Sequence, residues 1–65
     1  MSLAMTQIVD AYLKLNNRRS LEELHDHRRK LVAALRSLDG PFDPAIAIRQ
    51  NQDELAIIEA AIARL

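Results

Sequence analysis

His25-Asp26-His27 is the stretch whose residue types come closest to chemistry. Imidazole and carboxylate are metal ligands, and histidine is the side chain whose charge changes near neutral pH. On a helix, however, residues two apart point about 200° away from each other, so His25 and His27 cannot close on one ion. Glu23 and His27, four apart, do share a face, but two ligands fall short of a zinc site. The triplet therefore reads as a solvated helix face, and no metal or cofactor is expected.

The basic run Arg28-Arg29-Lys30, with Arg18 and Arg19 a few turns earlier, offers phosphate contacts instead. Successive helical residues fan out, so the triplet is not one surface. Asp26 precedes Arg29 by three residues and Lys30 by four, the spacings at which helical charges pair. One Tyr, one Phe and no Trp leave little on which bases could stack. Arg18, Arg19, Arg28, Arg29 and Lys30 form the second-ranked reading, a small nucleic-acid-associated protein working as a dimer. An enzyme ranks below both. Ser2, Ser20 and Ser37 have turn, cap and helix-end explanations with no histidine placed to activate them. Gly40, the sole glycine, cannot build a phosphate-cradling loop. Tyr12 sits on an apolar helix face, where packing with a hydrogen-bonded hydroxyl is its usual role. No catalytic residue is expected.

The elements that position these groups follow from apolar spacing. Leu21, Leu24, Arg28, Leu31, Leu35 and Leu38 keep a 3-4-3-4-3 rhythm broken by one arginine. Ile48, Asn51, Leu55, Ile58, Ile62 and Leu65 repeat it with one asparagine out of place. Such stripes run along one side of a helix, and the residues between them are strong helix formers. Both polar interruptions are candidates for setting register. Asp53, Glu54 and Glu59 read as outward-facing. The two helices are expected at about 21–38 and 44–64, separated by Leu38-Asp39-Gly40-Pro41-Phe42-Asp43-Pro44, which holds the only glycine and both prolines. Gly40 or Asp39 suits a left-handed helix end, Asp43 an N-cap and Pro44 the first helical position. So short a loop makes the helices antiparallel neighbours. Pairing Leu38 with Ile48 and Leu21 with Leu65 keeps the residue-number sum at 86, which puts Leu31 opposite Leu55. Phe42 is expected to fold back over the turn.

Residues 3–16 form a further helix, with Met5, Ile8, Tyr12 and Leu15 on one face and Val9 and Leu13 widening it. The spacing Ser20…Glu23 is that of a capping box, and Asn16-Asn17 suits a helix end, which favours a break near 16–20. The alternative is one helix continuous from about 3 to 38. The fold class is thus all-α: an antiparallel hairpin plus an N-terminal helix, folded as a small three-helix bundle or continuous with the second helix.

Sixty-five residues form a single domain, 1–65, in which the first four residues resemble a vector-derived leader ahead of Met5. A chain this short buries little of itself and commonly leans on disulfides, metals or partners. It has no cysteine, so disulfides are excluded. Net charge is zero, but residues 1–37 hold seven Lys/Arg against four Asp/Glu (+3) and residues 38–65 two against five (−3). Opposed halves fold against each other or against a second copy. No apolar run reaches the roughly 20 residues of a membrane span, and a cytoplasmic location is expected. The leading expectation is a helical interaction and oligomerisation module without catalytic activity. It is a homodimer through helix faces that can also dock a larger protein, with Met5, Ile8, Val9, Tyr12 and Leu15 as contact residues. A smooth stripe of Ala56, Ala60 and Ala63 adds a second face.

Overall fold

A computed structural model of the chain describes residues 3–38, 40–41 and 43–65. They form three helices and, among the described residues, no strand: α1 Leu3–Lys14, α2 Arg18–Arg36 and α3 Ala45–Ala63. Helices α2 and α3, each 19 residues and so about 28 Å long, pair as the hairpin, and α1 lies across both near the end away from the turn.

The break between α1 and α2 is built by two asparagines. Asn16 takes a left-handed conformation (φ 53°), one of the few residue types that does so at low cost. Its N–H donates to the Leu13 carbonyl (3.0 Å) and that of Asn17 to the Tyr12 carbonyl (2.9 Å). This pair of bonds closes a helix in the Schellman manner. Asn17 then opens α2, its side-chain oxygen accepting the Ser20 N–H at 3.1 Å. Ser20 is therefore not the cap expected of it but the third residue of the helix, and the continuous-helix alternative is set aside.

At the other joint α2 tightens as it ends. The Ser37 N–H is shared between the carbonyls of Ala33 and Ala34, and its hydroxyl donates to Ala34 as well. Gly40 has φ +112°, where L side chains are strained, as its position after the helix demands. The Asp43 carboxylate accepts the Ala45 N–H (3.0 Å), and the Pro44 carbonyl accepts the first helical bond from Ile48 (2.9 Å). Pro44 thus stands at the cap, one place before the first helical position expected. The expectations for Asp39 and Phe42 lie outside the described residues.

The paired faces keep most of the leucine rhythm and depart from it on the α2 side, toward the turn. On α2, Leu21, Leu24, Arg28, Val32 and Leu35 are buried or half-buried, whereas Leu38, just beyond its end, is exposed. Val32 is 7% exposed and its neighbour Leu31 is 36% exposed. At about 100° per residue Val32 lies some 20° from Leu21 around a straight helix, and Leu31 some 80°. A 3-4 repeat stays centred only if the helices supercoil. On the α3 side the expected stripe Ile48, Asn51, Leu55, Ile58, Ile62 and Leu65 is buried or half-buried throughout, joined by Ala47, Glu54 and Ala61. Cross-helix contacts join Arg28 to Glu54, Arg18 to Leu65 and His25 to Glu59, with residue numbers adding to 82, 83 and 84 in place of the expected 86.

The core sits where all three helices meet. Leu21 and Ile58 are fully enclosed, with Met5, Val9 and Ala61 around them and Tyr12, Leu13, Leu24, Ile57, Ile62 and Leu65 packed against the cluster. α1 is what seals it.

Candidate functional site

His25 is directed at α3, its Nε2 standing 3.0 Å from Glu59 Oε1. His27 receives an N–H from Arg28 at its Nδ1, 2.9 Å away, since a guanidinium can only donate. The two imidazoles thus serve different neighbours. Among the described residues no three His, Cys, Asp or Glu side chains converge as metal ligands.

The basic residues singled out for phosphate contact are each already beside a carboxylate or a carbonyl. Arg18 lies 3.8 Å from Glu22 and donates to the Leu65 carbonyl at 3.3 Å, a cation placed at the negative end of α3. Arg19 pairs with Glu23. Arg29 and Lys30 share Asp26, at 3.4 and 2.9 Å. The hydrogen bond and charge of Lys30, followed by those of Arg29, hold the Asp26 carboxyl below its ordinary value of 3.8. These are exposed pairs, worth little individually.

Arg28 differs from the rest. It points into the hairpin and meets Glu54, both side chains only about one-fifth exposed, Nε to Oε2 3.4 Å. The distance suits charge attraction but the alignment is not that of a hydrogen bond, leaving Nε a buried donor without an acceptor. Glu54, expected to face outward, is therefore an interior partner. Glu59 is turned toward His25. The basic first half and acidic second half meet within one chain at Arg28–Glu54. Asn51 satisfies its amide N–H₂ locally on the Ala47 carbonyl (2.9 Å), on its own helix.

The residues expected to contact another protein separate into two groups. Met5 and Val9, each 3% exposed, are inside the core, and Tyr12 is half-buried against it. Ile8 (45% exposed) and Leu15 (72%) remain outside. With Ala4 and Ala11, also exposed, they form a stripe at spacings of 4, 3 and 4 on the outer side of α1. Asp10 and Lys14 are the only charged residues of that helix. The alanines Ala56, Ala60 and Ala63 are exposed as well.

A second surface was missed at the level of sequence. Between α2 and α3, toward the turn, an open groove of about 450 Å³ is floored by Val32, Ala33 and Leu55. Arg29, Lys30 and Arg36 line its α2 edge and Gln52 its α3 edge. Arg29, Ala33 and Arg36 stand at i, i+4 and i+7, a signal the sequence does contain but which the leucine rhythm obscured.

The chain matches no known protein family, no curated protein and no solved structure. No helix is long and apolar enough to cross a membrane among the described residues.

Proposed function

We propose that the protein is a helical interaction module without catalytic activity of its own, acting in the cytoplasm, and that it associates with a second copy through the outer stripe of α1. The observation that carries this reading is that α1 is apolar on two sides. One side, Met5 and Val9, is spent on the chain's own core; the other, Ala4, Ile8, Ala11 and Leu15, is open. A helix apolar around most of its girth belongs between neighbours on both sides.

Shape supports the same reading. The chain exposes 4855 Å², whereas a compact protein of its 7.4 kDa mass exposes about 4200 Å². Its radius of gyration is 12.9 Å against about 10.7 Å for a compact domain of 65 residues. The surplus of about 650 Å² approaches the roughly 800 Å² that each partner contributes to a standard interface. A two-fold pairing of α1 stripes uses the same residues from both copies, which a closed dimer requires. Ala4 and Ala11 let the two helices approach closely while Ile8 and Leu15 supply apolar area.

Light scattering at tens of micromolar tests this. The expected mass is twice that of the chain, and Ile8→Glu and Leu15→Glu should each return it to a single chain with helicity unchanged. Both positions are exposed, so neither change enters the core. A single-chain mass for the unaltered protein contradicts the reading.

A further inference from the structure

The groove at the turn end of the hairpin is distant in sequence from the α1 stripe and has a different chemistry. We infer that it is a docking site for an acidic amphipathic helix of another protein, whose carboxylates sit two turns apart and meet Arg29 and Arg36.

Three observations select this occupant. The groove lining includes three cations and no carboxylate. Arg36 has no acidic partner among the described residues, and Arg29 and Lys30 divide one exposed Asp26 between them. Exposed pairs of that kind are exchanged at little cost. Second, Arg29, Ala33 and Arg36 stand in line along the groove, the arginines seven residues and thus about 10.5 Å apart with a small residue between them. A helix lying alongside brings its own positions i and i+7 to the same separation, with room above Ala33 for its backbone. Third, the floor is apolar, with Val32 from α2 and Leu55 from α3 in the centre. Apolar anchors in a groove with charged flanks are how a partner helix is commonly recognised.

A nucleic-acid strand fits less well. The lining has no aromatic residue on which a base could stack, and an apolar floor gives nothing to a phosphate. The chain's own α1 does not fill the groove, because its 12 residues, about 18 Å, are engaged at the Leu21–Ile58 end.

The probe is a synthetic helix of two to three heptads with leucines on one face and glutamates at i and i+7 on its flank. A second peptide replaces those glutamates with lysine, keeping the apolar face. The full chain is titrated with each while amide chemical shifts are followed. The glutamate helix is expected to bind and to shift the amides of Val32, Ala33 and Leu55. Arg36→Glu, at a position without an acidic partner among the described residues, is expected to weaken it about tenfold or more, and Arg29→Gln to weaken it less, since paired charges across an interface govern such recognition. Arg36→Glu should in turn admit the lysine helix. Ile8→Glu, which breaks the proposed dimer, should leave binding unchanged, so failure of one proposal does not imply failure of the other. The inference is overturned if the lysine helix binds the unaltered chain equally well, if neither peptide binds, or if the shifts fall on α1. Displacement of the glutamate helix by a short oligothymidine strand at low salt would reassign the groove to phosphate and overturn it too.

Discussion

The two ends of the hairpin are built from the same kinds of residue and reach different outcomes. At the end away from the turn, α1 covers the seam, and Leu21 and Ile58 lose all contact with water. At the turn end nothing described covers it: Val32 is nearly buried, but Leu38 and Ile46 are more than half exposed and a groove lies open between the helices. Two helices alone bury a line of side chains. A third is needed to enclose a volume. The sealed end supplies stability, while the open end and the outer side of α1 keep apolar surface in reach of other molecules.

The sharpest way to break this contrast is to truncate equivalent side chains at each end. Leu21→Ala or Ile58→Ala should cost about 2–5 kcal/mol, the range for enclosed aliphatic residues and a large share of the stability of so small a protein, read as a fall in the urea midpoint. Leu38→Ala and Ile46→Ala should change it by about 0.5 kcal/mol or less. Equal costs at both ends would remove the distinction.

Between the ends lies Arg28–Glu54, and it sharpens the comparison. Glu54→Ala strands an inward guanidinium and should lower stability by about 1–2 kcal/mol. Arg28→Leu with Glu54→Leu should recover that loss or exceed it, because an apolar pair removes the unsatisfied Nε as well. A double variant weaker than either single one would mean that the ion pair itself holds the helices.

The joint that lets α1 turn back comes next. Asn17→Ala loses the bond to the Ser20 N–H and should cost about 1 kcal/mol. Asn16→Gly should be neutral or slightly stabilising, and Asn16→Val should cost about 1–2 kcal/mol, since φ 53° suits only the former. Thermal melts distinguish these outcomes.

The smallest effect belongs to the exposed face. With its carboxyl held below the ordinary 3.8 by Lys30 and Arg29, Asp26 adds stability that is present above that value and disappears as pH falls through the lower folded value. Asp26→Asn should therefore differ slightly from the parent at pH 6, and the difference should close below about pH 4.

Much of this architecture was legible beforehand. Helix-forming composition, the glycine and proline cluster and the asparagine pair each act locally, so the three helices and both joints could be placed within a few residues. Phase was harder. Leu31 and Val32 are adjacent and both apolar, and the rotation of α2 against α3, which spacing alone does not fix, decides that Val32 turns inward. The caps moved by one to three residues for the same reason that helix ends are hard to place: Asn17 and Ser20, or Asp43 and Pro44, offer competing ways to satisfy the same few N–H groups. The candidate surface was legible only in part. Apolar faces of α1 look alike in sequence whether they meet the chain's own core, as Met5 and Val9 do, or stay outside, as Ile8 and Leu15 do. Which is which depends on how α1 crosses the hairpin. Likewise Glu54 looked like a surface residue until the position of Arg28 opposite it was known.

Amide hydrogen exchange along α2 tests the central contrast most directly. The account predicts that amides around Leu24 and His25, beneath α1, are the more protected and that protection declines toward Ala34 and Leu35 near the turn. Uniform protection along the helix, or slower exchange at the turn end, would contradict it.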